Sequence, residues 1–400
     1  MRDKLKAFIK QNFGLLGFGV LLSYFSGFGQ TFLLSLYVPS IEALLSISNT
    51  QFGTIYATAT IGSALTLPWL GGYFDKAPLK PYTIMVVFGL CASLLLLSFA
   101  TNIVLVVIAF FGLRLFGQGL MSHISIASMA RYFSKARGKA ISISGIGHPA
   151  GEASLPLIIT LLIAAFGWQS SLQVSAAICL LVVAPLALLL LQLSKSRINT
   201  YHQHAVSLAG NAKKINTLKF ISERRFWIIA PVVFILGFTN TAIFFFQLKL
   251  GAERGWSAEW VALSVSAFAI AGAIGLIVSG PLVDRFSGKK LFPYYLLPYL
   301  AGVLLLMSFS HAIVYPVALA LLGLGNGLGS TIKNAMLAEL YGTEVIGRIR
   351  SLFTTIMVLS TALGPISFGI LLDLNWNFSM IFGLTSTIIL LVSVNALRKP

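Results

Sequence analysis

The sequence is poor in charged residues, and in acids above all. Asp and Glu together number 11 in 400 residues, and charged residues of both signs make up 10%. A soluble globular chain carries about 25% charged residues. The shortage excludes an ordinary soluble domain. Together with 57% hydrophobic residues, it indicates a chain that lies mostly within a lipid bilayer.

Cysteine is nearly absent as well. Cys91 and Cys179 are the only two, and both fall inside apolar runs, where a small buried hydrophobe is expected rather than a disulfide or a metal pair. Residues 1–12 are basic and polar, and the apolar run that follows is too long for the core of a cleavable signal peptide. We therefore expect no removable leader.

Sequence motifs of catalysis are also missing. There is no phosphate-binding loop of the pattern Gly-x-x-x-x-Gly-Lys-Ser/Thr, no His-Glu-x-x-His pair and no nucleophile elbow. We expect no enzyme activity, no cofactor and no metal. The net charge of +17 would suggest nucleic acid in a soluble protein, but its placement here follows membrane topology, so no nucleic-acid partner is predicted.

Long apolar segments take up most of the chain. Twelve of them are near or above the roughly 20 residues that a helix needs to cross a bilayer. We number them spans one to twelve: 13–36, 51–70, 82–100, 103–130, 138–166, 170–193, 226–249, 259–283, 291–309, 312–340, 347–373 and 377–397. The pattern predicts an all-α membrane protein. Asn49 and Ser257 are the expected N-caps of spans two and eight.

An internal repeat organises these spans. Gly71-Gly-Tyr-Phe-Asp75-Lys76 follows span two, and Gly280-Pro-Leu-Val-Asp284-Arg285 follows span eight, at an offset of 284 − 75 = 209 residues. Gly117-Gln-Gly-Leu120 and Gly325-Asn-Gly-Leu328 repeat at nearly the same offset. The repeat predicts two six-helix bundles related by pseudo-two-fold symmetry, residues 1–193 and 226–400, joined by a linker at 194–225.

Lysine and arginine are distributed unevenly between the two sides. With twelve spans, both termini, the linker and the loops after even-numbered spans share one side, and that side holds 24 of the 28 Lys and Arg residues. Positive charge is retained on the cytoplasmic side. We predict cytoplasmic termini and an integral multi-pass protein of the cell membrane, which is the inner membrane in a Gram-negative source.

The two Gly-x-x-x-Asp-Arg/Lys loops resemble the signature of the major facilitator superfamily. The layout of six spans, a basic linker and six more spans agrees, and the resemblance covers the whole chain. It implies two helical bundles around a central cavity that opens alternately to either side, with a site near mid-membrane. Asp75 and Asp284 lie at the predicted cytoplasmic surface beside the bases Lys76 and Arg285, where charge pairs can hold one closed state, so we expect these four residues to act in gating.

The junction of spans four and five carries a more specific resemblance. Residues 132–140, Tyr-Phe-Ser-Lys-Ala-Arg-Gly-Lys-Ala, followed by Gly147 and Gly151, are similar to the signature of monocarboxylate and oxalate/formate-type carriers. Those carriers have an acid in span one and an arginine in span eight. Here span one has Ser26-Gly-Phe-Gly29 and span eight, 259–283, has no arginine, so the substrate class stays open.

Three ionisable residues within the spans are candidates for function, because charge inside a membrane is rare and costly. Arg114 lies about 16 Å into span four at 1.5 Å per residue. Glu152 is midway along span five, and His148 is one turn earlier on the same face. A Glu152–Arg114 pair that forms and breaks would let Glu152 carry a proton. The alternatives are a static buried pair and a histidine that merely caps backbone.

Polar residues on other spans extend this candidate site. Gln118, Ser122 and Ser125 continue the Arg114 face at α-helical spacing. In the second half, the offset of 208 maps Lys333 onto Ser125, so Lys333 either faces the cavity or snorkels to the membrane surface.

Spans one and seven contribute a matched pair of polar positions. Gln30 corresponds to Asn240, which lies near the aromatic run 244–246; these neutral amides and rings either contact an organic solute or pack. His123, on the opposite side of its helix from Arg114, is expected to pack.

These observations predict a secondary active transporter of a small organic solute, proton-coupled and acting as a monomer. The excess of cavity cations, Arg114 and Lys333 against Glu152, favours symport of an organic anion. Proton antiport that expels drugs or metabolites is the same-class alternative. A non-transporting receptor or an intramembrane enzyme is the remote one, because the sequence has neither a long signalling tail nor a catalytic constellation.

Overall fold

The fold was described from a computed structural model, which defines residues 2–74, 77–133, 136–195, 198, 223–341 and 346–398. Helix accounts for 89% of the structure, and the residues that it describes include no strand. Such a fold follows from the sequence because helices satisfy their own backbone hydrogen bonds, as a chain in lipid requires.

Helices occupy the positions predicted for spans one to six. Span one is broken into several short helices between Phe13 and Leu45 and bends by 49° after Gly29. The other five are formed by Asn49–Tyr73; Leu79–Ser98; Ile103–Gly112 with Leu113–Met121 and Ser122–Tyr132; Arg137–Gly145 with Gly147–Phe166; and Trp168–Ile178 with Cys179–Val183 and Ala184–Leu193.

The second half repeats this order with fewer interruptions. Its helices are Arg224–Phe245 with Gln247–Arg254; Ala258–Phe286; Gly288–Leu291 with Leu297–Ser308; Val314–Tyr341; Ile346–Asp373; and Phe378–Ala396. They correspond in order to spans seven to twelve. Span nine is the short member, since its main helix covers only Leu297–Ser308.

Nine of the described helices are long and apolar enough to cross a membrane, and the bent first span makes ten. Asn49–Tyr73 and Leu297–Ser308 stand where spans two and nine are predicted, and they fall outside that count. Helices are therefore present at all twelve predicted segments, and ten of these segments are long and apolar enough to count as membrane spans.

Two compact units emerge from the contacts of the chain. One contains Met1–Tyr37 and Thr58–Asn211, and the other contains Val38–Ala57 and Ala212–Pro400. Residues 38–57, the end of span one and the start of span two, thus pack with the second half of the sequence. Most of the predicted linker, 194–225, lies outside the described residues.

Helix caps agree with the prediction at one of two positions. Ser257 is the N-cap of span eight, and its side chain accepts a hydrogen bond from the Trp260 amide at 3.1 Å. Span two begins differently. Gln51 accepts from the Ser48 amide at 2.9 Å and donates its own amide to the Ser48 hydroxyl at 3.3 Å, which is a capping box. Asn49 is therefore the first helical residue and Ser48 is the cap.

Candidate functional site

Arg114 lies at the start of a π-helical stretch in span four, Leu113–Met121. Its side chain is 4% exposed. One guanidinium nitrogen, Nη1, donates to the Gly29 carbonyl at 3.3 Å and approaches the Thr31 hydroxyl at 3.5 Å. Both partners belong to span one, so the arginine ties span four to the point at which span one breaks.

The break in span one is a change of backbone conformation at a single residue. A 3₁₀ turn, Ser26–Gly29, ends at Gln30, whose φ of −86° and ψ of 150° are extended, and a new helical turn begins at Thr31. A helix interrupted in this way exposes backbone groups that an intact helix would pair internally. Arg114 occupies one of them, the Gly29 carbonyl.

Two glycines allow spans one and four to touch at the break. A Cβ on Gly29 would lie 2.2 Å from the Gln118 amide nitrogen and 2.2 Å from the Leu113 carbonyl oxygen. A Cβ on Gly117 would lie 2.7 Å from the Gly29 nitrogen. No side chain fits at either position. The close approach is what brings the Arg114 guanidinium within reach of span one.

Glu152 and His148 lie on the helix Gly147–Phe166, one turn apart and both partly buried. The His148 ring stands edge-on to the Phe32 ring of span one, with centroids 6.4 Å apart. Glu152 forms no hydrogen bond or ion pair with any residue that the structure describes. The predicted Glu152–Arg114 pair is not formed in this conformation, and whether it forms at another stage stays a prediction.

Glycines also allow span five to approach span one closely. A Cβ on Gly147 would lie 2.2 Å from the Val20 carbonyl oxygen, and a Cβ on Gly151 would lie 2.7 Å from the Tyr24 carbonyl oxygen. The Tyr24 hydroxyl also bonds the Ser154 hydroxyl at 2.8 Å. This contact was not predicted, although the Gly147–Gly151 spacing of one helical turn could have indicated a close helix crossing.

The polar stripe predicted for span four comprises Gln118, Ser122 and Ser125. Gln118 and Ser122 are partly buried, whereas Ser125 is fully buried. The Ser125 hydroxyl contacts the Gly19 carbonyl oxygen at 2.7 Å and the Ser144 hydroxyl at 2.6 Å. Ser125 therefore contacts span one, as Arg114 does, and it also contacts span five.

In the other unit, Asn240 is held by a buried tyrosine. The Tyr299 hydroxyl donates to Asn240 Oδ1 at 2.8 Å, and Tyr299 is completely buried. Asn240 lies within a continuous helix, Arg224–Phe245, whereas its counterpart Gln30 stands at a break. Lys333 is partly buried within Val314–Tyr341.

The aromatic run of span seven packs. Phe244, Phe245 and Phe246 are at most 6% exposed, and their rings contact neighbouring rings with centroids 5.0 Å apart at Phe268 and at Tyr56. Of the two roles considered for these rings, solute contact or packing, the structure shows packing. His123 likewise lies edge-on to the Phe74 ring at 5.5 Å, in agreement with its expected packing role.

The two signature loops are anchored by residues that the sequence analysis missed. Both terminal nitrogens of Arg131 donate to the Phe74 carbonyl at 3.2 Å, and its guanidinium lies 4.1 Å from the centre of the Phe74 ring. In the second copy, the Glu339 carboxylate accepts from the amides of Gly288 at 2.7 Å and Lys289 at 3.1 Å.

The repeat itself could have identified these anchors, because the offset of 208 maps Arg131 onto Glu339. A cation at a helix C-terminus and an anion at a helix N-terminus are the favourable placements. Asp284 and Arg285 are exposed, and the Arg285 guanidinium lies 5.1 Å from the Phe286 ring centre. Asp75 and Lys76 lie outside the described residues.

Apolar helices of membrane-crossing length, one of them broken beside buried charge, define a multi-pass membrane carrier. The family model of the Major Facilitator Superfamily matches residues 19–262 and 229–399. The chain belongs to this superfamily and is a solute transporter rather than an enzyme. The all-α membrane fold and the family predicted from the sequence are thereby confirmed.

Relatives and solved structures agree with this assignment. The chain is 27% identical to the uncharacterized MFS-type transporter YfnC of Bacillus subtilis, over 84% of this chain and 81% of the relative. It is 24% identical to human monocarboxylate transporter 11, over 86% and 72%. The crystal structure of the nucleoside transporter NupG superposes with a TM-score of 0.77 at 12% identity, covering 97% of this chain and 98% of that one. Because the identity is 12%, this structural similarity shows that the two proteins share a fold.

Proposed function

We propose that this transporter carries a small organic anion by proton symport, with Glu152 as the proton carrier. The observation that supports it is an acid on an apolar helix, partly buried and with no partner among the described residues. An unpaired carboxylate in apolar surroundings is costly, whereas its protonated form carries no charge. Gain and loss of a proton is therefore the change for which Glu152 is suited.

Arg114 is the proposed anion-binding group. Its guanidinium has five N–H donors in a fixed fork that matches a carboxylate, and it lies at the break of span one beside Gln30 and Thr31. Arg114 uses one donor on the Gly29 carbonyl, and its other N–H donors could bind a substrate carboxylate. The similarity to a transporter named for monocarboxylates supports an anion, since a monocarboxylate is one.

The remaining candidates have secondary roles in this proposal. Gln118 and Gln30 provide neutral donors and acceptors in the first unit. In the second unit Asn240 does the same, and Lys333 provides a second positive charge. His148 is the alternative proton carrier. Asp75, Lys76, Asp284 and Arg285 control the balance between the two open states at the cytoplasmic surface. The protein works as a monomer in the cell membrane, with both termini in the cytoplasm.

The test requires a substrate, which a thermal-shift screen of the purified protein against organic anions would identify. Glu152→Gln mimics the permanently protonated acid. In proteoliposomes it should abolish accumulation driven by a pH gradient and leave counterflow exchange largely intact, because exchange moves no net proton. Glu259→Gln, which changes an exposed acid at the start of span eight, is the matched control and should keep both activities.

Two outcomes would contradict the proposal. If Glu152→Gln still accumulates the anion against its gradient, Glu152 does not carry the proton, and His148→Gln becomes the variant to measure. If the wild-type protein accumulates substrate only when the proton gradient runs in the opposite direction, the protein is an antiporter.

A further inference from the structure

The only two cysteines of the chain meet in the first unit. Cys91 lies in the span-three helix Leu79–Ser98, and Cys179 is the first residue of the π-helical stretch of span six, Cys179–Val183. The Ala176 carbonyl oxygen accepts from the Cys91 thiol at 3.6 Å and also from the Cys179 amide. The two thiols are themselves in hydrogen-bond contact. Two sulfur atoms thus share one small site between spans three and six.

Chance is a poor explanation for this meeting. The cysteines are 179 − 91 = 88 positions apart in the sequence, so no local pattern brings them together. A buried residue touches about 6–12 others, so two positions placed at random in a chain of 400 residues would be neighbours in roughly 2–3% of cases. Span six also becomes π-helical at Cys179, and π-helical turns occur frequently at functional sites.

The cysteine pair lies deep within its helices. Cys91 follows Leu79 by 12 residues, about 18 Å along the helix, and Cys179 follows Trp168 by 11 residues, about 16 Å, at 1.5 Å per residue. Both thiols are free and their residues are buried. A net charge at this depth in a bilayer is costly. Whatever the two sulfur atoms bind must therefore leave the site without net charge.

Two thiols in apolar surroundings suit a soft divalent metal ion. Thiolate sulfur is a soft ligand and selects soft metal ions. Each thiol loses one proton, and a divalent ion between the two thiolates gives a neutral unit: M²⁺ + 2 RSH → M(SR)₂ + 2 H⁺. The two proton charges leave with the solvent. The bound state therefore places no net charge in the apolar interior.

The number of ligands selects among the soft ions. Zn²⁺ takes four ligands in structural sites, and no group of three metal-ligating residues occurs in the part of the chain that the structure describes. Cu⁺ between two thiolates would leave a net negative charge, which the apolar surroundings disfavour. Hg²⁺ is divalent and accepts two sulfur ligands on opposite sides, so it meets both requirements.

We propose that Cys91 and Cys179 form a two-coordinate site for a soft divalent metal ion, with Hg²⁺ as the ion that fits best. The ion replaces the two thiol protons and bridges spans three and six within the first unit. The site uses residues that have no part in the proposed transport of an organic anion. It depends neither on the nature of the substrate nor on proton coupling.

The experiment adds one equivalent of HgCl₂ to the purified, reduced protein in detergent after the reductant has been removed. HgCl₂ is a small neutral molecule, so it can enter apolar surroundings. Native mass spectrometry should show one ion per chain, and X-ray absorption at the mercury edge should show two sulfur ligands. ZnCl₂ at the same concentration should not be retained.

Competition with 2-mercaptoethanol measures the contribution of the second sulfur. Removal of Hg²⁺ from the wild-type protein should need about 100-fold or more competitor than removal from Cys91→Ala or Cys179→Ala, because the second thiolate binds within the same molecule. The melting temperatures of the metal-free proteins establish that both variants are folded. The ion should also raise the melting temperature of the wild-type protein by more than that of either variant.

A matched control keeps two buried thiols but separates them. Ser98 is 5% exposed and lies seven residues after Cys91, about 10 Å further along the span-three helix. The double variant Cys91→Ala/Ser98→Cys should therefore hold Hg²⁺ through one sulfur and release it as readily as the single variants. The proposal is overturned if the wild-type protein binds through one sulfur, releases the ion as readily as this control, or binds none while folded. Recovery of a chain two hydrogens lighter with no ion bound would identify a disulfide and would also overturn it.

Discussion

At the scale of single residues, two ionisable groups on the same unit, one buried and one partly buried, have different surroundings. Arg114 donates to the Gly29 carbonyl, and Glu152 has no bonding partner among the described residues. The arginine thus has structural anchors on span one. The acid has none, so its charge state can follow the conformation of the surrounding helices. This division of roles underlies the predictions for the two side chains.

Arg114→Gln should weaken binding of the anionic substrate severely. A hydrogen bond to a charged group contributes about 1.5–3 kcal/mol, which corresponds to roughly a 10- to 150-fold loss of affinity. Arg114→Lys should also bind poorly, because a lysine ammonium lacks the forked donor geometry. Equilibrium binding to purified protein measures both. Arg224→Gln, an exposed arginine at the start of span seven, is the control and should bind normally. Unchanged affinity in Arg114→Gln would contradict the anion assignment.

Sequence alone identified these residues but not their contacts. Arg114 and Glu152 could be selected because ionisable groups within apolar spans are rare. The partner of Arg114 could not be selected, because the Gly29 carbonyl becomes available only where span one breaks. The partner of Ser125, the Gly19 carbonyl, could not be selected from the sequence either.

At the scale of elements, glycines decide where helices touch. Gly29→Ala should destabilise the protein, because the new Cβ would lie 2.2 Å from the Gln118 nitrogen and from the Leu113 oxygen, both backbone atoms. Overpacking of this kind costs about 1–3 kcal/mol. Thermal unfolding in detergent should show a lower melting temperature. Gly72→Ala is the control: a Cβ there meets nothing within 4 Å, so this helical position should be unaffected or slightly stabilised.

A result in which Gly29→Ala and Gly72→Ala melt at the same temperature would contradict the close crossing of spans one and four. Both variants add a single Cβ to a glycine. A difference between their melting temperatures therefore arises from the atoms that surround each glycine. The measurement is independent of any substrate.

Glu339 anchors the second signature loop, and its loss should loosen that loop. Glu339→Ala removes the acceptor for the Gly288 and Lys289 amides, an interaction comparable to a helix cap worth about 1 kcal/mol. Hydrogen exchange of these two amides should become several-fold faster. The Ser257 cap of span eight is the internal reference, since the Trp260 amide should exchange at its original rate. Equal protection of residues 288–289 in both proteins would exclude the anchoring role.

At the scale of the whole molecule, helix positions were predictable and their grouping was not. The apolar runs predicted the positions of helices at all twelve segments, because a chain in lipid has few alternatives to a helix. The packing of residues 38–57 with the second half could not be read from the repeat, which assigns them to the first. That grouping depends on the hydrogen bonds that the Asp373 carboxylate accepts from the Asn49 and Thr50 amides, and on the close backbone contacts of Gly53 and Gly369, which join positions more than 300 residues apart.

Orientation in the membrane is predicted from the distribution of positive charge. Cysteines introduced in the linker 194–225 should resist a membrane-impermeant maleimide in intact cells. A cysteine at Ala252, which is exposed, should react readily. Permeabilising the cells should make the linker cysteines reactive and serves as the control. Labelling of the linker in intact cells, with Ala252→Cys protected, would reverse the assigned topology.

The most direct test of the account is simultaneous measurement of proton and substrate movement into proteoliposomes that contain the wild-type protein. The substrate is the organic anion identified by thermal shift, and an internal pH dye follows the protons. Symport predicts that protons enter together with the anion, and that Glu152→Gln removes the proton signal while exchange persists. Anion accumulation without proton movement, or with protons moving in the opposite direction, would contradict the account.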